Sequence, residues 1–260
     1  MNGVRNCMKG KRLAVLVLTY NEEKNIKDCL QSASFADEVI VVDSYSEDDT
    51  AALAKKYGAT VVQHEMKSFA AQRNFAMEQT CADWLFFLDA DERIAADAAE
   101  EISRIVQDDE QGAWRIKRMN ILFGQRMRFG GHRPDYVTRL FPREMARWEG
   151  LVHERVVCDL PLRSLHGCLH HYTYTEWDRY FAKFNQYTTL MARRQYEAGK
   201  RSSMVKIVCR PLFAFFRFYI LQLGFLEGKL GFIFAVFHAF YTMVKYVKLA
   251  YLSEESASFR

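Results

Sequence analysis

Several features that would direct this chain toward export, nucleic acid or dinucleotide chemistry are missing from its 260 residues. The six cysteines (Cys7, Cys29, Cys81, Cys158, Cys168 and Cys209) form no CxxC pair and lack the dense spacing of a secreted disulfide scaffold. Reduced thiols in a cytosolic compartment follow. The opening MNGVRNCMKGKR carries positive charge but runs straight into the short LAVLVLTY and then NEE, which is no signal peptide. A formal net charge of +4 is too small to imply nucleic-acid binding. Neither GxGxxG nor GxxxxGK[ST] follows the first apolar run, which counts against a dinucleotide oxidoreductase and a P-loop enzyme.

What is present is a large apolar fraction, 50% of the residues, enough for one sizeable α/β domain with an appendage. The first hundred residues alternate short β-branched runs with helical patterns. Strands are expected at 13–19, 38–42, 60–63 and 84–88, with helices at 23–32, 50–57 and 68–80. Such alternation argues for βαβ units and a mostly parallel central sheet with flanking helices. In SEDDT, Ser46, Asp48 or Asp49 can cap the second helix. From about residue 113 to 169, short strand-like pieces separated by Gly- and Arg-rich loops extend that sheet.

A polar, aromatic helical connector is expected over 174–199. Beyond it, 204–252 reads as two aromatic helical stretches broken near Glu227-Gly228-Lys229. Neither supplies about 20 uninterrupted apolar residues, because Arg217, Gln222, Lys245 and Lys248 intervene. A helical pair lying in a membrane interface fits, with cations beside anionic lipid; a buried hairpin or a contact with a second copy of the chain are the alternatives. The division expected is 1–172 catalytic, 173–203 connector and 204–260 associating segment.

The chemistry concentrates at strand ends. WLFFLDADE delivers Asp89 and Asp91, spaced by Ala90, beyond the carboxyl end of an apolar strand, where open α/β sheets bind ligands. Alternating carboxylates there suit a hard divalent cation that bridges substrate phosphates and assists a departing diphosphate. A helix cap at Asp91 or Asp97 is the competing reading. The first strand ends in Thr19, Tyr20, Asn21 and Glu22, which can stack on and hydrogen-bond a nucleobase, and the second ends in Asp43, which can accept from a base N–H or ribose hydroxyls. Three polar clusters at one sheet edge are harder to explain as caps.

TYNEE, VDSYSEDDT, AAQRNFA and LDADE, in this order, resemble the motifs of inverting family 2 glycosyltransferases with a GT-A fold, over most of the first 155 residues. The resemblance implies that Tyr20, Asn21, Glu22 and Asp43 contact the nucleoside, that Arg73 lies near base or diphosphate, and that Asp89-Ala90-Asp91 holds Mg²⁺ or Mn²⁺. On residue chemistry alone Arg73 is either a diphosphate cation or a solvated helix residue. GGHRPDYVTRLFPRE and RWEGLVHER resemble later motifs of the bacterial lipopolysaccharide-core glucosyltransferases.

Displacement at an anomeric carbon needs a base for the acceptor hydroxyl, a role suited to Glu154, with His153 the competing base or an added metal ligand. Arg133, Asp135 and Arg139 are candidates for the sugar or diphosphate pocket and Trp148 for an apolar platform under a sugar ring. His170 and His171 read as structural or acceptor-side. The activity implied is transfer from a nucleotide-sugar, with a uridine nucleoside, to a membrane-linked glycan or lipid at the inner face of the cytoplasmic membrane. A nucleotidyltransferase and an inactive membrane-associated scaffold are the alternatives.

Overall fold

Two continuous apolar runs, Leu13–Thr19 and Trp84–Leu88, can be satisfied only by burial on both faces, and that is where the fold centres. The computed structural model describes residues 11–150 and 155–258. In chain order the elements are β1 (Leu13–Thr19), α1 (Ile26–Ser32), β2 (Glu38–Asp43), α2 (Thr50–Lys56), β3 (Thr60–Gln63), α3 (Phe69–Glu78), β4 (Trp84–Asp89), β5 (Glu92–Ile94) and α4 (Ala96–Gln107). They continue with β6 (Ala113–Leu122), β7 (Gln125–Arg126), β8 (Asp135–Pro142), β9 (Ala146–Glu149), β10 (Arg155–Cys158) and β11 (Leu162–Tyr174), then α5 (Trp177–Glu197), α6 (Met204–Phe216) and α7 (Gly228–Ser258).

The main sheet runs β3-β2-β1-β4-β8-β6-β11-β5, with β7 on β6. Its first four strands are parallel, as the βαβ alternation requires; β8, β6 and β5 join through antiparallel pairs, so the sheet is mixed. A separate ribbon pairs β9 with β10. This α/β architecture with flanking helices is the expected GT-A arrangement.

Among the described residues the chain forms two compact units, one drawn from Met1–Met119 and Asp135–His171, the other from Asn120–Pro134 and Tyr172–Arg260. In the first, side chains alternate across the sheet and feed two cores. Leu13, Val15 and Val17 with Trp84, Phe86 and Leu88 pack against α1 and α4, while Ala14 and Leu16 with Leu85 and Phe87 pack toward α3 and Trp148. Gly167 in β11 lets α4 approach: a Cβ there would stand 2.5 Å from Ala98 Cα.

Element ends carry the local chemistry that sets them. Ser68 caps α3 by accepting from Ala71 N. Of the three candidate caps for α2, Asp48 does the work, accepting from the Thr50 backbone N–H at 3.0 Å; the residue at the cap position, Asp49, makes no side-chain capping bond. Helix α1 begins at Ile26 rather than Glu23, because Glu22–Asn25 forms a turn closed by Asn25 N donating to Glu22 O.

In the second unit, Leu122, Met127, Tyr180, Phe218 and Phe234 form an aromatic core. The GGH sequence belongs to it: a Cβ on Gly131 would come within 2.6 Å of the Phe218 ring, so these glycines serve packing. Two helices break at Gly228 (φ 61°) as expected, but the second is longer than its sequence suggested. The stretch Gly224–Leu252 is long and apolar enough to cross a membrane, by length and composition only. Within it, Lys248 Nζ donates to Asn185 Oδ1, Thr188 Oγ1 and Thr189 Oγ1 of α5.

Candidate functional site

The register of the parallel strands brings the polar strand ends together. Thr19 pairs with Asp43 and Leu18 with Asp89, so β1, β2 and β4 end at one edge. A cleft of about 350 Å³ opens there, lined by Thr19, Tyr20, Glu22, Asp89, Asp91 and His171 among others. Tyr20 is exposed, while Thr19 is buried and its hydroxyl has no hydrogen-bond partner among the described residues.

The loops behind this edge are sewn to each other. Asn21, at φ 54°, accepts from Glu47 N through its side chain and donates its own N–H to Ser46 Oγ. Glu22 N donates to Thr50 Oγ1 and Glu22 Oε2 accepts from Asn25 Nδ2. Asp43 sits at the expected edge but is fully buried; its carboxylate accepts from the backbone and hydroxyl of Ser46. It orders the SYSEDD loop instead of facing the cleft.

The two aspartates of the DAD turn have different surroundings. Asp89 Oδ1 accepts from Arg73 Nη2 at 3.1 Å and Oδ2 from Arg139 Nη2 at 2.5 Å. Arg139 is itself buried and also bridges to Glu92 at 2.8 Å, and Glu92 holds Asp89 N. Burial would raise the Asp89 carboxyl, but the adjoining Arg139 and Arg73 charges reverse that and hold it well below the usual carboxylate range. Burial likewise opposes the Arg139 charge, and Asp89 and Glu92 together push its pKa up. Asp89 is therefore an anchored anion with each oxygen engaged by an arginine.

Asp91 caps no helix: α4 starts after Ala95, and Asp97 supplies the side-chain bond at its first turn. Its Oδ2 lies 3.2 Å from His171 Nε2, both side chains partly open to the cleft. Strand β11 delivers that imidazole, because His171 pairs in register with Glu92 beside the DAD turn. Two donors on a six-coordinate ion with bonds of about 2.0–2.1 Å stand about 3 Å apart, so this carboxylate and imidazole fit a divalent cation whose other positions go to water and phosphate oxygens. Among the described residues no group of three or more His, Cys, Asp or Glu gathers as a metal-ligand set.

Other expected residues fall differently. Arg73 is buried in α3, its guanidinium 4.5 Å from the centre of the Trp148 ring. Trp148 packs edge-on against Phe87 and is buried, so it is not an open sugar platform. Asp135 is an exposed partner of Arg118, held by two bonds at 2.7 and 3.0 Å. Arg133 is exposed and lies in the second unit. His153 and Glu154 lie outside the described residues. Sequence reasoning missed Glu92 and Arg118, the first hinted at only by the acidic DADE run, and read His171 as structural or acceptor-side, whereas it lies beside Asp91.

A core of parallel strands, a nucleotide-sized cleft at their carboxyl ends and an acidic turn beside it define a glycosyltransferase of GT-A type. The sequence description of glycosyl transferase family 2 matches residues 14–155, and the chain belongs to that family. The lipopolysaccharide core biosynthesis glycosyltransferase LpsC of Rhizobium meliloti (strain 1021) is 31% identical over 251 residues, covering 91% of each chain. The uncharacterized glycosyltransferase RP128 of Rickettsia prowazekii (strain Madrid E) is 27% identical, over 95% of this chain and 89% of its own. The solved structure of S. aureus TarS 1-349 aligns over 94% of this chain and 92% of its own at 15% identity and a TM-score of 0.44, too distant to bear on function. Family membership removes the nucleotidyltransferase alternative.

Proposed function

We propose that the chain moves a sugar, with inversion, from a uridine diphosphate donor to a hydroxyl of a membrane-linked glycan. A lipopolysaccharide core sugar is the acceptor suggested by the name of the R. meliloti relative. The observation that carries the reading is the Asp91–His171 pair at the mouth of the cleft, beside the ends of β1 and β4.

In this reading Asp91 and His171 hold Mg²⁺ or Mn²⁺, which when bound neutralises charge on the departing diphosphate. The exposed Tyr20 ring offers a stacking face for the base. Asn21, Glu22 and Asp43 fix the loops that form the cleft wall. Arg73 and Arg139 keep Asp89 ionised and immobile next to the leaving group. Glu154, or His153 in its place, takes the acceptor hydroxyl's proton as the new bond forms at the anomeric carbon and the bond to diphosphate breaks.

The helical tail supplies the site of work. Residues 200–252 hold eight Lys or Arg against the single acid Glu227, with Phe213, Phe216, Phe232 and Phe240 exposed. Such a surface suits the anionic inner face of the cytoplasmic membrane, where in this reading the enzyme works as a peripheral protein.

Calorimetric titration with UDP, with and without Mn²⁺, tests the donor site. Binding that strengthens with Mn²⁺ in the native chain and loses that gain in Asp91→Asn and His171→Ala is expected. UDP affinity indifferent to Mn²⁺ in the native protein would overturn the assignment.

A further inference from the structure

A second cavity, about 370 Å³, lies in the first unit and is lined by Arg73, Arg118, Arg139, Arg155, Tyr136 and Trp148, with Asp89 the one residue it shares with the nucleotide cleft. Four guanidinium groups around one small cavity need an explanation. Three of them have acidic partners: Arg73 and Arg139 bind Asp89, and Arg118 binds Asp135. Arg155 is exposed at the start of β10 and has no acidic partner among the described residues. Among the described residues that line the cavity or pair with its wall, four arginines (Arg73, Arg118, Arg139 and Arg155) meet three acids (Asp89, Glu92 and Asp135).

The demand is for acceptor oxygens with negative charge, which carboxylate and phosphate meet with geometry suited to arginine.

We propose that this cavity is an acceptor subsite for an anionic group, a carboxylate or a phosphate monoester borne by the acceptor glycan, with Arg155 as the cation that meets it. The assignment rests on the donor occupying the cleft of Asp91 and His171. Asp89 stands where the two spaces meet, so a sugar passing from donor to acceptor crosses at that carboxylate. The cation selects glycans by charge: a neutral sugar offers Arg155 hydroxyl acceptors but no counter-charge.

The test uses the full chain saturated with UDP and Mn²⁺, titrated with glucose 6-phosphate, galacturonate and glucose at constant ionic strength and followed by ligand-observed NMR. Both anions are expected to bind at least roughly tenfold tighter than glucose, the preferred one naming the oxyanion recognised. Arg155→Met should erase that preference while leaving UDP affinity unchanged. Equal binding of all three sugars overturns the proposal, as does an Arg155→Met protein that retains the preference. If Arg155→Met weakens UDP as much as the anions, the cavity belongs to the donor and the proposal fails. If instead UDP shows no Mn²⁺-dependent binding while the Arg155-dependent preference persists in its absence, the donor reading fails and the anion site stands.

Discussion

His171 Nε2 lies 3.2 Å from Asp91 Oδ2 across a separation of 80 residues. The antiparallel pairing of β5 with β11 creates this meeting, and it gives the acidic turn a nitrogen donor that no local motif announces. Replacing His171 with Ala should therefore cost roughly tenfold or more in Mn²⁺-supported UDP affinity while leaving the melting temperature of the ligand-free chain close to native. Differential scanning fluorimetry with and without UDP and Mn²⁺ reads both quantities.

Arg139 is the buried counter-charge for Asp89 and Glu92 at once. Arg139→Met leaves two carboxylates facing each other in the core, and a loss of about 3–5 kcal/mol is expected in urea unfolding. A stability within about 0.5 kcal/mol of native would mean the acids find another partner. Arg139→Lys should recover only part of the loss, since a single ammonium cannot copy the bonds a guanidinium distributes between them.

Glu101 on α4 accepts from the backbone N–H groups of His166 and Gly167 in β11. Burial would raise its carboxyl, but these bonds and the His166 side chain bring it below its ordinary value. A depressed folded-state value means the stabilisation is complete above the unfolded carboxyl value near about 4.3 and is lost as pH falls through the folded one. Glu101→Gln should cost about 1–2 kcal/mol at pH 7, and the gap from native should close in acid; a gap of constant size from neutral to acid pH would refute the ionic origin.

Gly167 permits the close approach of β11 to α4. Ala in its place puts a Cβ within 2.5–2.7 Å of Ala98 backbone atoms, which cannot yield as a side-chain tip can. Destabilisation of about 1–3 kcal/mol by denaturant titration is expected. Ala at the open Gly58 meets no neighbouring atom, so its cost should come from φ 86° alone.

Phosphatidylglycerol vesicles should retain the chain in flotation at low salt and release part of it at high salt, as screening removes the contribution of the cations in 200–252. Binding that is unchanged between zero and full phosphatidylglycerol content would assign the tail to apolar contact only. Binding to no vesicle would leave the exposed aromatics for a protein partner.

The sequence by itself determined the parallel half of the sheet and the edge at which its polar strand ends gather. Leu13–Thr19 and Trp84–Leu88 are too continuously apolar for any place but a doubly covered strand, and Thr60–Gln63 closes with the same local logic. Strand-end position then follows from chain order, which is why Thr19, Asp43 and Asp89 were legible as neighbours. Period and propensity act over a few residues, and these features need no more.

Only the tertiary structure decided what each side chain faces. Asp43 and Asp89 look alike in sequence, yet one is turned into its own loop and the other is clasped by Arg73 and Arg139, because burial forces every charge to choose a partner. Trp148 reads as an available ring until β9 carries it into the core beneath Arg73. His171 becomes a partner of Asp91 only through strand register, and a shift of one residue in β11 would turn it to the opposite face. Pairings of this kind are set by packing over long chain separations, and no local pattern encodes them.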